Sequence, residues 1–147
     1  MTGFLLALAA VFLGGMAISV QAPINAALAN AAGDGVVAAA ISFLVGFAAL
    51  LALVLLRGSF PQGETLRQIP PWMWTGGLLG AFYVWAALSS VARLGVLTLA
   101  AALILGQLTA ALLIDATGAF GLDPRAISWQ RLAATVLVAA GLVLSRY

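Results

Sequence analysis

The chain contains no cysteine, no histidine and no lysine. Without cysteine there is no disulfide framework and no thiolate chemistry. Without histidine as well, the usual zinc and haem ligand sets are missing, so redox catalysis is excluded and no cofactor is called for. Charge is scarce too: 7% of residues are charged, all six bases are Arg, and the formal net charge is +2. The pI near 10.0 therefore reflects missing buffering side chains, not a basic patch, and nucleic acid has no footprint to bind. No stretch alternates with period two, which argues against a transmembrane barrel. No nucleophile, base and metal constellation is present, so the reading is not an enzyme.

What is abundant is apolar surface. At 65% hydrophobic residues this is the composition of an integral membrane protein. A helix needs roughly 20 residues to cross hydrocarbon, and five runs qualify: residues 3–27, 36–56, 71–91, 95–116 and 129–145. The expected fold class is an all-α membrane protein, with residues 1–147 forming a single five-helix transmembrane domain. The first run lacks a basic segment before it and exceeds the length of a signal core, so it is expected to stay in the mature protein.

That first run carries the most informative polar sequence, Ser19 to Asn25. Pro23 has no N–H to give to the carbonyl of Ser19, which needs another partner. At about 100° per residue, Gly14, Ala17, Gln21 and Asn25 share one face. Two readings fit the carboxamides of Gln21 and Asn25: glue between packed helices, or binding groups exposed by an interrupted transporter helix. Either way the face looks into protein or water, because lipid offers an amide no partner.

Further along, Asn30 to Gly35 has the glycines and Asp of a tight turn, with Asp34 read as solvated turn chemistry. Ala38, Ser42 and Gly46 form a small-residue stripe that admits another helix, as do Gly76 and Gly80. Arg57 to Pro70 reads as an exposed, irregular loop carrying Glu64 and Arg67. Trp72 and Trp74 suit the membrane interface. Tyr83 falls mid-span, where its hydroxyl either lines a cavity or is met by packing. In the fourth run Gln107, Ala111, Ile114 and Asp115 share a broad face. Asp115, flanked by apolar residues, is either a proton or cation coupling group or a wetted helix end. Ser128 suits the N-cap of the last run, where Gly141 and Ser145 lie four apart. Arg57, Arg67, Arg125 and Arg131 flank one set of loops, and Arg93 and Arg146 the other. This bias favours a cytoplasmic N-terminus but is weak enough to permit insertion both ways.

Taken together, Gly14 with Gln21-x-Pro-x-Asn25, Gly76-Gly-x-x-Gly80-Ala-x-Tyr83, Arg93-Leu-Gly95, and Gly106-Gln107 with Ile114-Asp115-x-x-Gly118 resemble a family. It is that of the short five-helix members of the drug/metabolite transporter superfamily, the YdcZ-like inner-membrane proteins. The chain departs at Ala92, where such proteins often carry Pro. The first run also lacks the mid-span Glu of the smaller multidrug-resistance members, so their carboxylate-centred proton exchange does not carry over. The resemblance implies a multi-pass protein of the inner (plasma) membrane, forming half of an inverted-repeat bundle. No internal repeat supplies the other half. The expected function is secondary transport or export of a small organic solute by an antiparallel dimer. The partners are then the bilayer, the solute, and either a second copy or an oppositely oriented homologue. Against this stand a non-transporting assembly subunit and a small-solute channel.

Overall fold

The computed structural model describes residues 2–147. Every long element is helical, and the described residues include no strand. Helix α1, Thr2–Ala32, stays α-helical through Pro23. It also absorbs Asn30, Ala31 and Ala32, which the sequence placed in the turn. The helix stops only at Gly33, whose φ of 77° lies in the left-handed region. There glycine adds no steric penalty.

Asp34 does more than sit in solvent. Its Oδ1 accepts hydrogen bonds from the N–H groups of Val36 at 2.7 Å and Val37 at 2.9 Å, capping helix α2, Gly35–Arg57. These N–H groups have no intrahelical acceptor, and a carboxylate suits the positive end of the helix dipole. At the far end Gly58, at φ 60°, donates to Leu55 O and Ser59 donates to Val54 O. This is the paired bonding of a Schellman ending.

The loop that follows is not wholly irregular. Gly63–Arg67 forms a single helical turn, α3, started where Leu66 N–H donates to Gln62 O. Glu64 in its first turn and Arg67 in its last complement the dipole, a local signal outweighed in the sequence by the prolines and glycines around it. A 3₁₀ turn, Pro71–Trp74, begins with the proline that a helix tolerates at its first position. It leads into α4, Thr75–Thr117. Within α4 a single residue, Gly95, is non-helical at φ 75° and ψ 162°. The expected turn from Ala92 to Gly95 is thus reduced to one glycine. After α4 come the 3₁₀ turn Ala119–Gly121, an extended stretch and helix α5, Trp129–Leu144. The side chain of Ser128 caps α5 by accepting from Arg131 N–H, as its position implied.

Among the described residues, three helical runs are long and apolar enough to cross a membrane, residues 2–32, 35–57 and 71–117, while α5 has 16 residues. The chain divides into two compact units, Met1–Ala92 and Arg93–Tyr147. In the first, Ala39, Val84 and Leu88 form a buried cluster against which Ala29 and Tyr83 pack. The fit is close: a Cβ on Gly35 would sit 3.0 Å from Leu88 Cδ1, and one on Gly80 would lie 3.5 Å from Phe43 Cζ. Gly14, Gly46 and Gly76 face open space. In the second unit Thr98 Oγ1 donates to Ser145 O at 3.1 Å, and Ser145 Oγ lies 3.2 Å from Thr98 Oγ1. Gly141 is open. Outside these contacts most large apolar side chains are exposed, Phe12, Leu44, Leu78 and Leu97 among them. In water such a surface would aggregate; in a bilayer it meets lipid or another helix.

Candidate functional site

The polar groups of the first unit lie in an otherwise apolar helical hairpin and the helix packed on it. Asn25 is 4% exposed, whereas Gln21, one turn earlier, is exposed. Sequence periodicity put both amides on one face; packing separates them, because only the C-terminal part of that face, with Ala22 and Asn25, is covered. Asn25 stands one turn before Ala29, which packs on the same buried cluster as Tyr83. Ser42, half-buried on α2, is as far beyond the Gly33–Asp34 turn as Asn25 is before it. The two therefore stand at the same level of the hairpin.

None of these three polar groups is used up by the fold. The Asn25 carboxamide and the hydroxyls of Ser42 and Tyr83 form no hydrogen bond among the described residues. Nor is any buried polar side-chain atom among the described residues sealed away without a partner. The small remaining exposure of Asn25 thus belongs to an amide that keeps access to open space. On the same two helices, Val36, Ala39, Ala40 and Phe43 of α2 and Ala81, Phe82 and Trp85 of α4 line an open apolar groove of about 440 Å³, and none of Asn25, Ser42 and Tyr83 is among its lining residues. The rings of Phe82 and Trp85 are tilted, with centroids 6.1 Å apart. Trp85, mid-span like Tyr83 and the weaker cavity candidate of the two from sequence, walls the groove, whereas Tyr83 is not among its lining residues.

In the second unit Gln107 is exposed and Asp115 is half-buried. The Asp115 carboxylate accepts from the guanidinium of Arg131 in an ion pair, and the Asp115 carbonyl accepts from Arg125 N–H at 2.7 Å. Asp115 thus ties both the loop after α4 and the first turn of α5. The sequence read Arg131 only as one of the arginines flanking a loop. The available signal was an acid in the last turn of one helix and a base in the first turn of the next. The loop geometry that joins them depends on Gly118 at φ 64°, where a Cβ would come within 2.7 Å of Pro124 Cγ and 2.8 Å of Leu122 O. Gln21, Asn25 and Tyr83 belong to one unit, and Gln107 and Asp115 to the other.

Chemically, Asn25, Ser42 and Tyr83 offer only uncharged donors and acceptors, and the groove on α2 and α4 is apolar. The second unit's half-buried carboxylate already has a counter-charge.

Residues 6–144 match the family described as "Putative inner membrane exporter, YdcZ". Over 142 residues the chain is 26% identical to the protein named "Inner membrane protein YdcZ" of Escherichia coli (strain K12), an alignment that spans 96% of this chain and 95% of that protein. No solved structure matches.

Proposed function

Because the chain belongs to the YdcZ family and is a multi-pass protein of the inner membrane, we propose that it is a secondary transporter. In this reading it exports a small organic solute and works as an antiparallel dimer. The observation that carries the reading is Asn25: a largely buried carboxamide, on a membrane-length helix two residues after a proline, has no partner in the fold yet keeps access to open space, and so is free to bind a solute. Asn25 and Tyr83, with Gln21 in the same unit and Gln107 in the other, are the residues assigned to the solute. Asp115 couples the cycle to protons by exchanging its Arg131 partner for a proton.

The run 71–117 holds 47 residues, about 70 Å of helix at 1.5 Å per residue, more than twice a hydrocarbon core. Broken at Gly95, it serves as two spans. Helix α5, roughly 24 Å long, makes a fifth span by local thinning of the bilayer and anchoring by Trp129. Five spans in one domain leave the termini on opposite sides, and a second, inverted copy then completes the bundle. The open faces at Gly14, Gly46, Gly76 and Gly141 suit close approach of that copy, and Ser145 lies on the last of them.

The test is transport by purified protein in proteoliposomes, screened over a panel of radiolabelled small solutes. Saturable counterflow that Asn25→Ala abolishes, with dimer size unchanged in detergent, supports the carrier. Ohmic current points to a channel, and silence across the panel to an assembly subunit.

A further inference from the structure

Building on the transporter reading, we infer that the solute is an uncharged molecule. It carries a hydrogen-bond donor and acceptor together, as an amide or lactam does, and the carboxamide of Asn25 holds it in the first unit.

Three observations converge on this class. First, Asn25 is 4% exposed yet its amide makes no hydrogen bond, so it presents a donor and an acceptor side by side, the complement of another amide. Second, the half-buried hydroxyls of Ser42 and Tyr83 in the same unit are also neutral and form no hydrogen bond among the described residues. No Asp, Glu or Arg occurs between Gly35 and Leu56 or between Trp72 and Ala92. An ion bound here would lose its hydration and find no counter-charge, whereas a neutral amide exchanges water for an equivalent partner. Third, the one carboxylate in the second unit that is flanked by apolar residues is held by Arg131. A cationic solute therefore meets no free acid at that position.

The experiment uses three probes that share one ring and nearly one size: benzamide, benzylammonium and benzoate. Equilibrium binding of each is measured to the full chain in nanodiscs, with empty nanodiscs subtracted. Benzamide should bind saturably and the two ions should not. Asn25→Leu should weaken benzamide at least about tenfold, the effect of leaving a buried polar group unpaired. Asn25→Asp, nearly identical in shape, should shift preference to benzylammonium. The inference is overturned if benzylammonium or benzoate binds the unmodified chain as well as benzamide, or if benzamide fails to saturate. It is also overturned if Asn25→Leu leaves benzamide binding intact, or if both Asn25 variants lose the dimer, which makes the amide a packing group. Counterflow in proteoliposomes separates this idea from the reading beneath it. Benzamide binding without counterflow removes the carrier and leaves the site, while counterflow of an ion alone removes the site and leaves the carrier.

Discussion

The guanidinium of Arg131 donates to the carboxylate of Asp115, joining the last turns of α4 to the first turn of α5 while the Asp115 backbone carbonyl holds the N–H of Arg125. A half-buried pair of this kind adds little to stability, since partial solvation screens it to about 1 kcal/mol or less. Its interest is as a switch. If protonation of Asp115 frees Arg131 during transport, Asp115→Asn should flatten the pH dependence of the initial rate in proteoliposomes while leaving thermal stability nearly unchanged. A pH profile identical to that of the unmodified chain rules out coupling at this residue and leaves a structural clasp.

Gly118 sets the loop that brings the pair together. Gly118→Ala should destabilise the protein by roughly 1–3 kcal/mol, because alanine must hold a left-handed backbone and also meets Pro124 and the Leu122 carbonyl. Gly106→Ala, where a Cβ also meets nothing within 4 Å, is the control. Unfolding in mixed micelles should show a large loss for the first and little for the second. Equal losses would mean that the loop does not need its present course.

Asp34→Ala removes the acceptor for two N–H groups at the start of α2. About 1 kcal/mol of stability should disappear, and Asp34→Asn should restore most of it, since asparagine caps as well. Equal stability of the alanine variant and the unmodified chain would show that solvent substitutes fully for the cap.

Absence of native cysteine makes the proposed dual insertion simple to examine. Tyr147→Cys should react with an impermeant maleimide from both sides of intact membranes. Reaction from one side only excludes the antiparallel homodimer and favours an oppositely oriented homologue as partner.

Much of the helical order was legible because composition and run length are strong signals: α1, α2 and both arms of α4 coincide with apolar stretches. Boundaries were less so. Asn30 to Ala32 continue α1 because nothing stops a helix there until Gly33, and α3 forms inside a segment whose prolines and glycines pointed to an irregular loop. For the site, one-helix periodicity grouped Gln21 with Asn25 but could not tell which end of the face another helix would cover. Asp115 stood out by its surroundings. Arg131 did not, since the contact between them depends on backbone angles at Gly118 that residue type alone hints at but does not determine.

Gly95 carries a consequence for inheritance. Its φ of 75° with ψ of 162° belongs to a region of backbone space that is essentially closed to every residue with a Cβ. Each single-base change that alters a glycine codon yields either such a residue or a stop. The join between the arms of α4 is therefore a position with no acceptable neighbours in sequence space. A lineage that lost this glycine would have to redraw the break between the two arms elsewhere before it could be altered again.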